Sequence, residues 1–331
     1  MRCAVVGGGA WGTALADLLA RNGHDTVLWA LERDVADSME ARHINDRFLP
    51  GVTLAPELHA TSDLARALDG ADLVTFTAPS QVLRGVVREG AASVCPRATL
   101  VVASKGIERE SLAIMTSVVG DELPGRPVVA LSGPTFAVEV AARQPTAIVA
   151  ASRDATAAER VQESFSSETF RVYTHDDVIG VELGGALKNV MAVAAGIVEG
   201  LELGFNTRAA LITRGLAEMT RLGTALGAEP ATFAGLAGMG DLVLTCTGSL
   251  SRNRTLGVAL GRGATLDAAL AGKETVAEGV MTTRSAHALA ARERVDMPIV
   301  AAVFGILFEG RPARAAIGDL MRRELRPEQD E

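Results

Sequence analysis

Only three of the 32 basic residues in the chain are lysines: Lys105, Lys188 and Lys273. Arginine can replace lysine at most solvated positions, but it cannot shed its proton near neutral pH. A lysine kept in an arginine-rich chain is therefore a candidate for work that needs an ammonium's shape or a mobile proton. Lys188 is the sharpest of the three. It is the single cation within the apolar, Gly/Ala-rich stretch from Glu182 to Val198, where an unpaired charge is expensive. A carboxylate beside it would restore the balance, and such a pair can be tuned to polarise a carbonyl and hand it a proton. Asp241, which follows Gly235, Gly238 and Gly240, is the natural partner. Further on, Ser251-Arg252-Asn253-Arg254 reads as an anion clamp. Arg252 offers a planar fork of donors suited to phosphate oxygens, Asn253 adds an amide, and Arg254 either shares the load or pairs with a carboxylate. Lys105, beside Gly106, could reach the same ligand as a point charge. Lys273 reads as an exposed loop residue, and Cys246 as a small packed thiol.

Two kinds of element must position these groups. The first half of the chain alternates strand and helix. Cys3–Val6 is a short apolar run, followed by Gly7-Gly8-Gly9-Ala10-Trp11-Gly12 and a helix that ends at Asn22-Gly23. Thr26–Trp29 is the next strand. A G-x-G-x-x-G loop in that strand–helix–strand setting lets the backbone turn tightly and brings a helix N-terminus against a pyrophosphate. Further strands are predicted at Leu73–Thr77, Leu100–Ala103, Val128–Leu131 and Ala147–Val149. Polar or Gly/Pro segments recur at their carboxyl ends: Ala78-Pro79-Ser80, Ser104-Lys105-Gly106 and Ser132-Gly133-Pro134-Thr135. That is the edge where open parallel sheets bind ligands. Glu32 and Arg33 stand side by side after the second strand. An acid there takes the ribose hydroxyls of NAD and an arginine accommodates the 2′-phosphate of NADP, so the cofactor choice stays open. From about Gly180 the strand pattern fades into helices, one from Arg208 to Leu226 and another around Met297–Leu307.

The 331 residues suit two domains, set here at 1–182 for an α/β Rossmann-like unit with a mostly parallel sheet and 183–331 for an all-α unit. The formal charge of −8 gives no reason to expect nucleic acid or a membrane surface as a partner. Cys3, Cys95 and Cys246 are odd in number and far apart, and the five histidines show no ligand spacing, so no disulfide framework and no metal are expected. The opening strand leaves no room for a signal peptide, and no apolar run is expected to reach the roughly 18 residues of a spanning helix. The expectation is a cytoplasmic protein without membrane insertion. The apolar helical faces would suit a homodimer or a monomer's core equally.

Taken together, these motifs resemble the bacterial-type NAD(P)-dependent glycerol-3-phosphate dehydrogenase family, from the glycine loop to about Glu309. The most specific blocks are Ser104-Lys105-Gly106, Ser132-Gly133-Pro134-Thr135-Phe136-Ala137, Gly184-Gly185-Ala186-Leu187-Lys188-Asn189-Val190 and Thr213-Arg214-Gly215-Leu216. The others are Gly240-Asp241-Leu242, Leu244-Thr245-Cys246-Thr247 and Ser251-Arg252-Asn253-Arg254. The resemblance implies hydride transfer between NAD(P)H and dihydroxyacetone phosphate, giving glycerol 3-phosphate for phospholipid synthesis. It makes Lys188 the proton donor or acceptor, acting with Asp241. It implies that Lys105, Gly133, Thr135, Lys188, Asp241, Ser251, Arg252 and Asn253 meet the substrate. The cofactor would meet Gly7, Gly9, Ala10, Trp11, Gly12, Arg33, Lys105, Ala137, Arg252, Val276 and Glu278. Ala10 stands where many members carry Ser, and the family's His or Arg has no single counterpart around Leu31-Glu32-Arg33. Both departures leave NAD against NADP undecided. The competing readings are a 3-hydroxyacid-type dehydrogenase, against which the Arg252-Asn253 cluster argues, and a dinucleotide sensor without turnover, which has no need of a proton donor.

Overall fold

The computed structural model describes residues 1–272, 278–325, 327 and 328. The chain forms two compact units, one of residues 1–105 and 114–178, the other of residues 106–113 and 179–331.

The first unit is built on an eight-stranded sheet. Its strands are β1 (Arg2–Val6), β2 (Asp25–Trp29), β5 (Leu58–Thr61), β6 (Leu73–Phe76), β7 (Thr99–Val102), β8 (Val128–Ser132), β9 (Thr146–Ala151) and β10 (Phe170–His175), while β3 (Ile44–Asn45) and β4 (Leu49–Thr53) form a separate antiparallel hairpin. The helices are α1 (Ala10–Arg21), α2 (Arg33–Arg42), α3 (Leu64–Leu68), α4 (Leu83–Gly90), α5 (Met115–Glu122), α6 (Ala137–Ala141) and α7 (Ala155–Phe165). Strand order is β10-β9-β8-β7-β6-β1-β2-β5. Cys3, Ala4, Val5 and Val6 are wholly buried, as a central parallel strand covered on both faces requires. The order reverses beside β1, so the glycine loop after β1 and Ala78-Pro79-Ser80 after β6 flank the topological switch point. The mostly parallel α/β sheet followed by helices is the fold read from the sequence.

Three details of the sheet unit were not read there. The stretch between β2 and β6 is not simply helical, because it carries the β3–β4 hairpin and the edge strand β5. Strand β10 is a further parallel neighbour of β9, with Phe170 and Val172 turned into the core. Strand β9 runs antiparallel to β8, so the segment after it leaves from the opposite rim to the five strands whose carboxyl ends carry the motifs.

The second unit contains α8 (Val178–Gly200), α9 (Phe205–Ala225), α10 (Pro230–Phe233), α11 (Asp241–Thr247), α12 (Arg252–Gly261), α13 (Leu266–Leu270), α14 (Glu278–Glu293), α15 (Pro298–Phe308) and α16 (Ala313–Met321). Contrary to the sequence expectation, α8 is long and apolar enough by composition to cross a membrane. Most of it is buried inside the protein, and its apolar surface is spent on packing. It crosses α12 at contact distance. A methyl group at Gly257 would overlap the carbonyl oxygen of Val193 and lie 2.9 Å from the Gly196 Cα, and one at Gly196 would overlap the Arg254 carbonyl oxygen. One turn on, Gly200 and Gly261 repeat the arrangement. Glycines spaced four apart on both helices thus let backbone meet backbone.

Helix α15 is capped from outside. Pro298 opens it without an N–H, and the next two donors, Ile299 N and Val300 N, bond the Glu218 carboxylate of α9 at 2.6 and 3.2 Å. Burial pushes the Glu218 carboxyl up from its ordinary 4.5 to about 7, against the two N–H bonds that pull it down. An acid whose folded pKa stands above its unfolded one keeps its proton longer in the folded state. It therefore withdraws stability as pH rises from about 4.5 to about 7. Thermal melts across that window should show wild type losing of the order of 3 kcal/mol relative to Glu218→Gln. A difference that stays flat with pH would place the carboxyl at an ordinary pKa.

Candidate active site

In the helical unit, the site is assembled on α8. Gly184 lies one turn before Lys188, and the absence of a side chain there is what admits the next segment: a Cβ would stand 2.5 Å from the Ala237 carbonyl oxygen. That segment, Leu236–Gly240, is a single turn of π-helix leading straight into α11. Close approach at Gly184 delivers Asp241, the first residue of α11, to the side chain one turn along. Lys188 Nζ donates to Asp241 Oδ1 and, at 3.0 Å, to Thr245 Oγ1. The Thr245 hydroxyl in turn bonds the Asp241 carbonyl oxygen at 2.6 Å. Asp241 is wholly buried and the Lys188 side chain is 8% exposed, so the lysine does not reach out to solvent. The pair anticipated from the sequence is present. Thr245 is a direct partner that sequence reasoning passed over, although a hydroxyl one turn after Asp241 is a readable signal. Cys246 is buried beside them, and burial pushes its thiol up to about 12, in keeping with a packed rather than a reactive group.

Asn189 connects this pair to α12. Its Oδ1 accepts from Asn253 Nδ2 at 2.9 Å, and Asn253 Oδ1 accepts from Gly279 N at 3.0 Å. The Asn253 amide thus ties three helices together, with one of the two Nδ2 protons engaged inside the protein. Ser251 is buried and caps α12 by accepting from Arg254 N at 3.2 Å. Arg254 pairs with a carboxylate: its Nε and Nη2 reach Glu199 at 2.9 and 2.7 Å, and Arg208 reaches the same carboxylate at 3.2 Å. Arg252 is the exposed member of the cluster, with no hydrogen bond or ion pair to another described residue. It stands at the N-terminus of a ten-residue helix whose first turn carries no acid, an arrangement that receives anions. Glu278 opens α14. Val276 and Lys273 lie outside the described residues.

The sheet unit brings a different set together. Gly7 has φ +131°, a conformation that disfavours any side chain, and a methyl at Gly12 would overlap the Gly7 carbonyl oxygen. Gly9 caps α1 with open space where a Cβ would be, and no acid stands in the first turn of that helix. Unobstructed N–H groups at a helix start without negative charge fit a dinucleotide pyrophosphate. Ala10 and Trp11 begin α1, and Trp11 packs against the core with its Nε1–H buried and without an acceptor among the described residues. Lys105 Nζ donates to the Gly133 carbonyl oxygen at 2.9 Å, and Thr135 Oγ1 to the same oxygen at 3.3 Å, so these three predicted residues form one cluster. Ala137 starts α6 and packs on the core. Glu32 is the N-cap of α2 without a side-chain bond to the helix, and the exposed Arg33 lies 3.8 Å from an equally exposed Asp37. Both remain available at the carboxyl end of β2.

Two family models match the chain: the NAD-dependent glycerol-3-phosphate dehydrogenase N-terminus over residues 2–158 and the C-terminus of the same enzyme over residues 177–318. The chain belongs to the NAD-dependent glycerol-3-phosphate dehydrogenase family. Relatives include the glycerol-3-phosphate dehydrogenase [NAD(P)+] of Trichlorobacter lovleyi, 56% identical over 99% of this chain and 100% of that one. That of Geobacter sulfurreducens is 55% identical over 99% and 98%. Among solved structures, glycerol-3-phosphate dehydrogenase from Coxiella burnetii superposes with a TM-score of 0.94 at 41% identity, covering 97% of this chain and 99% of that one. The family assignment makes the chain an NAD(P)-dependent oxidoreductase of the glycerol-3-phosphate dehydrogenase type.

Proposed function

We propose that the chain interconverts dihydroxyacetone phosphate and glycerol 3-phosphate with Lys188 as the proton-transferring group. The buried Lys188–Asp241–Thr245 set carries this reading. In the reducing direction, bound NAD(P)H supplies the hydride to the ketone carbon. Lys188 Nζ polarises the ketone oxygen and gives it a proton as the alkoxide develops; in the reverse direction the free amine takes that proton back. Asp241 holds the ammonium charged and aimed until transfer, and Thr245 fixes the orientation of both. Burial excludes water, which strengthens each of these interactions.

Arg252 and the N–H groups at the start of α12 take the phosphate, and Ser251 and Asn253 meet the substrate beside them. Lys105, Gly133 and Thr135 are further substrate residues in this proposal. The glycine loop, Ala10, Trp11, Ala137, Arg33, Arg252 and Glu278 are its cofactor residues. A dinucleotide sensor would not maintain a buried lysine–carboxylate pair, which is costly to desolvate and gives little net stability.

The test is oxidation of NADPH and NADH, followed by nicotinamide absorbance, with dihydroxyacetone phosphate and with unphosphorylated dihydroxyacetone. Turnover should require the phosphate, and Arg252→Ala should weaken use of the phosphorylated ketone by about 1.5–3 kcal/mol, the scale of a charged hydrogen bond. Equal rates with both ketones, or an Arg252→Ala enzyme with an unchanged KM, would remove the phosphate from the α12 terminus.

A further inference from the structure

The glycine loop does not hold its own shape. Its carbonyls are gripped from two sides by side chains outside the G-x-G-x-x-G pattern. Asn45, on the two-residue strand β3, is 1% exposed. Its Nδ2 donates to the Gly8 carbonyl oxygen at 2.9 Å and to Thr13 Oγ1 at 2.8 Å, while its Oδ1 accepts from Phe48 N at 3.2 Å. Thr13 passes its own proton to the same Gly8 oxygen at 3.3 Å. On the other side, Thr77 Oγ1 lies 3.1 Å from the carbonyl oxygens of both Val6 and Gly7. In a trans peptide the C=O and the following N–H point in opposite directions. Holding the Gly8 oxygen inward therefore turns the Gly9 N–H outward, and holding the Gly7 oxygen does the same for Gly8 N–H. Glycine peptides are otherwise free to flip, since no Cβ opposes rotation.

We propose that Asn45, acting with Thr13, is a positioning residue for NAD(P) binding: the β3–β4 hairpin fixes the Gly8–Gly9 peptide so that its N–H is already aimed at the pyrophosphate. The inference rests on the reading of the glycine loop as the dinucleotide site. It assigns the hairpin, which interrupts the strand–helix alternation, a part in cofactor affinity rather than only in packing.

The test measures NADPH affinity by nucleotide fluorescence, together with kcat and the KM for dihydroxyacetone phosphate at saturating NADPH, in Asn45→Ala, Thr13→Val and Thr13→Ser. Asn45→Ala and the isosteric Thr13→Val should each weaken NADPH binding by about tenfold, the scale of one or two lost hydrogen bonds. Thr13→Ser, which keeps the hydroxyl, should bind close to wild type. The kcat at saturating NADPH and the KM for the ketone should hold in all three. Variants that melt earlier but bind NADPH as wild type would overturn the proposal, and Thr13→Val alone decides the matter should Asn45→Ala not fold. Gly9→Asp separates the two failures, because its side chain enters open space and brings a negative charge to the helix start. Lost NADPH binding in Gly9→Asp with undisturbed Asn45→Ala and Thr13→Val would refute the brace alone. Undiminished binding in Gly9→Asp would refute the loop as the dinucleotide site, and the brace with it.

Discussion

Lys188→Ala is expected to lower kcat by roughly 10²–10⁴-fold, the usual contribution of a positioned general acid, with NADPH affinity close to wild type. The substitution also removes the cation bonded to the wholly buried Asp241 carboxylate. Breaking a buried ion pair by removing one member costs about 3–5 kcal/mol of stability, so lost turnover in this variant alone could be lost fold. Lys188→Arg separates the two. A guanidinium keeps the positive charge beside Asp241 but does not release its proton near neutral pH, so the fold should survive while turnover falls by a similar factor. Steady-state rates with circular-dichroism melts of both variants distinguish these outcomes. An arginine enzyme that turns over at near wild-type rate would show that the group supplies charge and not a proton, and an active alanine enzyme would remove Lys188 from the chemistry.

The second large effect lies away from the reacting groups. Gly257→Val should destabilise the protein at or above the upper end of the roughly 1–3 kcal/mol typical of overpacking. Its new atoms would meet backbone, the Val193 carbonyl oxygen and the Gly196 Cα, and neither can rotate away. The helices α8 and α12 must separate. Because α8 carries Lys188 and α12 begins at Arg252, which is proposed to meet both ligands, the KM for dihydroxyacetone phosphate and that for NADPH should both rise. Gly9→Ala is the contrasting control, since it faces open space and should melt as wild type does. A Gly257→Val protein with an unchanged melting temperature would mean that the crossing is looser than its geometry implies.

What was legible in the sequence was whatever repeats locally or stands out against its surroundings. Strand β1 and its glycine loop follow one another along the chain, and Lys188 is conspicuous in an apolar helix. Asp241 could be named as its partner because the glycines before it do not look like packing sequence. What the sequence could not display was contact between distant residues. Asn45 lies 37 residues from the Gly8 carbonyl it holds, on a strand of two residues that no periodicity could reveal. Glu218 stands within α9 with no local mark of its role, yet it caps a helix whose bonded N–H lies 81 residues on. Asn253 reads as a donor for an anion, and the fold gives its amide two further partners, Asn189 and Gly279. In each case the residue type was suggestive, and the role depended on which partner the fold delivered.

The buried thiols bear on how the protein meets oxidants. Cys246 adjoins Thr245 in the wall of the proton-transfer site, and Cys3 lies in the central strand; burial pushes both up to about 12. Peroxides and electrophiles attack the thiolate, of which either group then offers only about one part in 10⁵ at neutral pH. Cys246 lies within the field of the Lys188–Asp241 pair, so the packing that seats the proposed proton donor also keeps this neighbouring thiol from becoming a reactive thiolate. The half-buried Cys95, in the sheet unit, is the most accessible of the three thiols.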